Sequence, residues 1–150
     1  MLNDLAGGVA LGKASRLIVY SDGASRGNPG PSAAAFIALT DDGRVATRGT
    51  KFLGLKTNNQ AEYSALIFAL QSVSALTREV VCRMDSQLVV RQLNGEYAVK
   101  DCALKSLWNK ISELRRVFSK VSFVHVPRTE KYVQEVDELA NQVLDKACKA

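Results

Sequence analysis

LIVYSDGASRGNPGP, residues Leu17 to Pro31, opens as an apolar run with a β-branched bias, the look of a strand covered on both faces. It then meets Asp22 and a loop rich in glycine and proline, so a carboxylate is expected where a buried strand surfaces. Gly23, Gly27 and Gly30 keep the backbone slim there, and a bulky ligand could come close to it. The competing reading takes Asp22-Gly23 as a plain hairpin turn, a strong local signal in its own right.

Outward from this stretch, the composition describes one domain. The chain has 150 residues, of which 47% are hydrophobic, enough for a real core. No apolar run approaches membrane-spanning length, and residues 1–15 (MLNDLAGGVALGKAS) lack the charged start and long apolar centre of a secretory signal. That segment is expected to be a loosely held, flexible extension, with the folded domain over residues 16–150. Cys82, Cys102 and Cys148 have no metal-ligand spacing, and their odd number argues against a disulfide framework. A reducing, cytoplasmic setting follows. The net charge of +5 and pI near 9.2 favour a polyanionic partner over a membrane.

Beyond the opening stretch, Ala33–Leu39 and Arg44–Phe52 are β-capable runs joined by Asp41-Asp42-Gly43, an antiparallel hairpin. Thr57-x-x-Gln60 fits a capping box that opens a helix. Glu79–Met84 is a mostly apolar strand ending at Asp85. A short helix runs from there to Leu93, stopped by Asn94-Gly95. Leu104, Leu107, Trp108, Ile111, Leu114 and Phe118 recur at helical spacing. Val121–Val126 reads as the last strand, containing the lone His125, and Val133–Ala147 as the closing helix. Strands joined through helices run parallel, so the pattern is a mixed α/β sheet: an antiparallel meander first, then parallel crossovers. Trp108 and Cys82 read as packing residues.

Four acids stand out. Asp22 and Asp85 sit at the carboxyl ends of strands, where the crevice of such a sheet lies. Glu62 heads a helical row with Leu66, Ala69 and Val73, and Asp137 shares one with Val133, Ala140, Leu144 and Ala147. Each has a structural explanation when taken alone: Asp85 as a helix N-cap, Asp137 as a charge near a helix start, Glu62 as a capping acid, although Gln60 already fills that slot. Taken together they place four carboxylates at one end of one sheet, where they would repel one another unless a cation lay between them. Oxygen ligands without clustered His or Cys favour Mg²⁺ or Mn²⁺ over zinc. Two such ions, about 3.5 to 4 Å apart, suit a phosphodiester displacement.

The ordered motifs Asp22-Gly23-x-x-x-Gly27-Asn28-Pro29-Gly30, Thr57-Asn58-Asn59-x-x-Glu62, Asp85-Ser86-Gln87 and Asp137-x-Leu139-Ala140-Asn141 resemble type 1 ribonuclease H. The resemblance covers roughly residues 16 to 148. It implies a five-stranded mixed sheet flanked by helices, strands 1 to 3 antiparallel and 1, 4 and 5 parallel. It also implies a monomeric endonuclease that hydrolyses the RNA strand of RNA/DNA hybrids to 5′-phosphate and 3′-hydroxyl ends with two Mg²⁺ ions, Mn²⁺ substituting. On that resemblance Asp22 bridges both ions, Glu62 and Asp85 complete the shell of one, and Asp137 helps hold the other. Gly23, Ser25, Asn28, Asn58, Asn59, Ser86 and Gln87 face the hybrid's minor groove, where the 2′-hydroxyl distinguishes RNA. Thr57 holds a phosphate of the DNA strand.

The chain departs from the pattern in three places. The connection Pro127–Tyr132 contains no histidine, Val133 and Val136 precede the last acid, and Asn94–Asp101 leaves no room for a basic helical protrusion. Lys100, Lys105, Lys110, Arg115, Arg116 and Lys120 offer a compensating charge or, more simply, a solvated helix face. Two other readings stay open: the same fold also cutting double-stranded RNA or DNA junctions, and a binding module without turnover.

Overall fold

The computed structural model of the chain describes residues 15–149. The expected flexible extension, Ser15 aside, lies outside the described residues. Five strands, β1 (Leu17–Ser25), β2 (Gly30–Leu39), β3 (Val45–Lys56), β4 (Glu79–Met84) and β5 (Lys120–His125), form one sheet in the order β3-β2-β1-β4-β5. β1 pairs antiparallel with β2, and β2 with β3, whereas β1 with β4 and β4 with β5 are parallel. The four helices are α1 (Asn58–Val73), α2 (Gln87–Leu93), α3 (Cys102–Arg115) and α4 (Lys131–Ala147). The mixed topology expected from the alternation of strands and helices is the one observed. Among the described residues no helix is long and apolar enough to cross a membrane.

The two faces of the sheet are built differently. One carries α1, α2 and α3 over Leu17, Val19, Phe36, Val80, Cys82 and Met84. The other carries α4 alone, whose Val133, Val136, Ala140 and Leu144 pack on Tyr20, Ala33, Ala35, Ile37 and Leu39. β2 is therefore covered on both sides, and its run of alanines, all fully buried, lets α1 and α4 lie close above and below it. Trp108 packs at the margin of the larger core and donates its indole N–H to the Gln92 carbonyl at 3.3 Å. Phe118 lies beyond the end of α3 yet is buried, reaching the same core from the loop. Lys100, Lys105, Lys110, Arg115, Arg116 and Lys120 are all exposed. His125 closes β5 with its side chain in solvent.

Several boundaries differ from the sequence reading, and one difference matters. Asp22 does not end its strand. β1 continues to Ser25, with Asp22 opposite Ala35 and Gly23 opposite Ala34 of β2, so Asp22-Gly23 is neither a strand end nor a turn. The parallel ladder with β4 does stop at Tyr20 opposite Arg83. Asp22 thus lies just past the end of β1's parallel edge while still held on its antiparallel edge. The turn falls later, at Arg26–Pro29.

Gly23 is what permits α1 to approach. A Cβ built there would lie 2.1 Å from the Ala61 carbonyl oxygen and 2.5 Å from the Glu62 nitrogen, both backbone atoms that cannot turn aside. Gly23→Ala is expected to cost about 3 kcal/mol or more of unfolding free energy, at the upper end for inserting a methyl group into a packed interior. Denaturant unfolding monitored by circular dichroism checks this, and a loss below about 0.5 kcal/mol would show that α1 can shift freely.

Candidate active site

The acids are delivered by four separate elements to one crevice of about 670 Å³. Asp22 projects from β1 and is only 6% exposed. Glu62 comes from the first turns of α1. There the Thr57 hydroxyl accepts from the Gln60 N–H and the Gln60 side chain accepts from the Thr57 N–H, a complete capping box. Capping therefore needs nothing from Glu62, whose Oε1 instead accepts from the Gly23 N–H at 3.0 Å. Asp85 follows β4. The α2 cap is Ser86, which accepts from the Val89 N–H at 3.3 Å, not Asp85 as one reading of the sequence had it. Asp85 is thereby left free to face the crevice.

Asp137 is placed differently from its sequence row. The buried stripe of α4 is Val133, Val136, Ala140 and Leu144, whereas Asp137 and Ala147 are exposed. Asp137 flanks that stripe at the crevice wall. α4 begins at Lys131 with Glu130 as its cap, and no acid lies in its first turn, so a helix-terminus role does not explain Asp137.

Carboxylate oxygens of Asp22, Glu62 and Asp85 all lie within 4.8 Å of one another. Burial, then the charges of Glu62, Asp85 and Asp137, push the Asp22 carboxyl up to about 10. Burial likewise raises Glu62 to about 7, opposed by the Gly23 N–H. These are large upward displacements for carboxylic acids. They describe a site that prefers protons to bare negative charge, and that a divalent cation would relieve. The lining contains carboxylates and amide side chains but no His or Cys, a hard-oxygen donor set.

Of the remaining candidates, Gly23, Ser25 and Asn58 line the crevice, whereas Asn28, Thr57, Asn59, Ser86 and Gln87 lie outside its lining. The Ser25 hydroxyl, with one proton to donate, lies within hydrogen-bond reach of the Gly27 and Gly30 carbonyls of the β1–β2 loop and of the Lys56 carbonyl at the end of β3. Asn28 Oδ1 accepts from the Asn58 N–H at 3.0 Å, tying that loop to the start of α1. Gln87 opens α2 and is exposed.

Arg128, which the sequence reading did not single out, also lines the crevice. Its Nε lies 3.3 Å from Asp85 Oδ2, with 89% of its side chain exposed. The usable signal was positional: any loop that follows a parallel strand opens on the crevice side of such a sheet. Gln134 and Asn141 of α4 join it there.

A family model described as "Reverse transcriptase-like" matches residues 20–143. Ribonuclease HI of Halobacterium salinarum is 39% identical over 145 residues, which is 96% of this chain and 72% of that protein. A bifunctional protein of Mycobacterium tuberculosis is 34% identical over 137 residues, 90% of this chain but 37% of that protein. The chain thus spans little more than a third of the mycobacterial relative. Among solved structures, RNase H1 from Halobacterium salinarum superposes with a TM-score of 0.84 at 41% identity, covering 87% of this chain and 98% of that one. LC11-RNase H1, solved in complex with RNA/DNA hybrid, gives 0.81 at 39% identity over 87% of this chain and 98% of that one.

The charge balance of the crevice fixes a pH dependence. Without metal, Asp22 stays protonated in the folded protein up to about 10 and Glu62 to about 7, whereas in the unfolded chain both ionise near about 4. Between these limits the folded state binds more protons than the unfolded one, so stability falls as pH rises from about 4 toward 10. In EDTA, unfolding free energy is expected to decline from pH 5 to 8. Asp22→Asn should flatten the decline and exceed the wild type at pH 8, the two converging near pH 4. Millimolar Mg²⁺ should restore the wild type. A flat wild-type profile in EDTA contradicts this charge balance.

Proposed function

Because the chain belongs to the type 1 ribonuclease H family, we infer that its four-acid crevice hydrolyses the RNA strand of RNA/DNA hybrids. The observation that carries this reading is the convergence of Asp22, Glu62 and Asp85 oxygens within 4.8 Å, with Asp137 on the same wall. We assign the catalytic unit to residues 16–150.

The donor set fits divalent cations: clustered, mutually repelling carboxylates, Asp22 buried and Glu62 and Asp85 half-buried, that gain from a hard ion. Asp22, Glu62 and Asp85 would hold one Mg²⁺ and Asp137, sharing Asp22, a second, with Mn²⁺ as substitute. Bound there, such ions supply Lewis-acid charge to phosphoryl oxygens and lower the pKa of water.

The protein's own residues do the rest. The Gly23 N–H fixes Glu62 by its hydrogen bond, and the Ser86 cap leaves Asp85 unencumbered by helix duties. Arg128, the one cation among the lining residues, presents a fork of donors toward a phosphate backbone. The Thr57 hydroxyl accepts from Gln60 and keeps its proton to donate, which suits a phosphate of the DNA strand at the N-terminus of α1. Asn28 spends its carbonyl oxygen on Asn58 and retains two amide donors. Together with the side chains of Asn58, Asn59, Gln87 and Ser86, those donors suit 2′-hydroxyls and base edges in the minor groove, with Ser25 and the Gly23 backbone forming the adjoining lining of the crevice. Cleavage leaving 5′-phosphate and 3′-hydroxyl ends follows from attack of water on the phosphorus with the 3′ oxygen departing.

The test is one assay with matched RNA/DNA hybrid, RNA duplex and DNA duplex, each in Mg²⁺, Mn²⁺ or EDTA. Cleavage of the hybrid's RNA strand that requires metal is expected. Asp22→Asn or Asp85→Asn should lower it by roughly three orders of magnitude or more, as loss of several kcal/mol of transition-state stabilisation does. Full activity in either variant, or a hybrid that binds yet stays intact in both metals, overturns the assignment. Equal cleavage of the RNA duplex would widen the substrate class.

A further inference from the structure

A second network joins the elements that carry the acids, on the α4 side of the sheet. The Tyr20 hydroxyl accepts from Arg83 Nη1 at 2.8 Å and donates to Glu130 Oε2 at 3.0 Å. Glu130 spends its other oxygen on the Tyr132 and Val133 N–H groups, the cap of α4. The Tyr20 ring lies 2% exposed, 5.2 Å from the ring of Tyr132 and below the Arg83 guanidinium. Each member is linked along its own element to an acid. Tyr20 precedes Asp22 by two residues on β1, Arg83 precedes Asp85 by two, and Glu130 caps the helix that bears Asp137.

The arrangement has more polar chemistry than a helix cap needs. A cap requires one oxygen, which serine, threonine or aspartate would supply. Here a longer acid reaches past the cap to a tyrosine held by an arginine of the next strand. α4 packs on β1, β2 and β3, and this relay ties its first turn to β4 as well.

We propose that the Arg83–Tyr20–Glu130 relay is a positioning device: it sets the start of α4 relative to β1 and β4, so that Asp137 stands at the distance from Asp22 needed to share divalent cations. Tyr20, Arg83 and Glu130 are positioning residues, since none lines the crevice. The inference rests on the metal-dependent reading above and adds to it the part that aligns the fourth acid.

Tyr20→Phe tests it by removing one hydroxyl while keeping the ring contact with Tyr132. Calorimetric titration of the full chain with Mn²⁺, without nucleic acid, should show affinity weakened about two- to tenfold, the scale of one lost hydrogen bond. Hybrid cleavage should fall in kcat with KM unchanged. In an Asp137→Asn background the same substitution should leave Mn²⁺ affinity where Asp137→Asn alone puts it, because coupled residues are not additive. Tyr63→Phe is the control for stability: it removes another buried hydroxyl, bonded to Gln92 Oε1 at 2.7 Å, and should leave Mn²⁺ affinity unchanged. If Tyr20→Phe loses stability as Tyr63→Phe does but binds Mn²⁺ like the wild type, the relay is only structural and the proposal fails. Equal losses in the wild-type and Asp137→Asn backgrounds also overturn it. A wild-type chain that binds no Mn²⁺ refutes the metal-dependent reading itself, and the relay with it.

Discussion

The backbone contact between α1 and β1 across Gly23 is the constraint on which the rest of the molecule depends. Only hydrogen fits between the Gly23 Cα and the Ala61 carbonyl, and the same approach lets the Gly23 N–H reach Glu62. Two carboxylates on elements far apart in sequence are thereby held together in a place with little water. Burial is the largest cause of the raised Asp22 and Glu62 pKa values, ahead of any neighbouring charge. Removal of solvent and crowding of charge thus act together to make the site cation-seeking. The two-sided packing of β2, with helices above and below its alanines, supplies the rigidity that holds such an unfavourable cluster in place.

Sheet architecture was legible in the sequence because hydrophobic period and turn chemistry agree almost everywhere. The β2–β3 hairpin shows the limit of that agreement. Asp41-Asp42-Gly43 marks the turn, and Gly43 has a positive φ of 86°, but the strands run on to Gly30 and Lys56. The β2 extension is Gly30-Pro31-Ser32, loop-like by itself and held in the sheet by its pairing with Lys56, Leu55 and Gly54 of β3. β1 was cut short for the same reason. Ladder bonds to β2 hold Asp22 and Gly23 in the sheet, and nothing local to an Asp-Gly pair announces a partner strand.

At the site, what was legible was residue type and order; what was not was which side chain is spent on which bond. Asp85 and Ser86 are adjacent and either can cap a helix, so only coordinates reveal that Ser86 does so. Asp137 lies at helical spacing from apolar residues, yet a row read at offsets of three and four spans a wide arc, and Asp137 falls at its edge. Glu130 carried no periodic signal because it precedes the helix, and Tyr20 looked like one more apolar strand residue. Both owe their importance to partners more than sixty residues away, a class of interaction that local pattern does not encode.

Arg128 shows how the crevice reconciles acid and base. A guanidinium does not surrender its proton at any ordinary pH, so a buried arginine among these acids would be a permanent internal cation and would oppose a metal ion. Here the arginine is at the rim, 89% exposed, and touches only the outermost oxygen pair through Asp85. The Asp85 side chain is only 11% exposed, but the guanidinium at the other end of the pair is solvated and single-handed in its contact, so it can be exchanged. It can give up Asp85 to a stronger cation and turn toward an incoming phosphate at little cost. The remaining basic side chains of α3 stand in solvent away from the crevice, adding long-range attraction for a polyanion without competing for the carboxylates. Negative charge is thus gathered in the crevice around a buried Asp22 while positive charge is kept at the solvated rim and beyond, which is the division of labour a metal-using site for an anionic polymer requires.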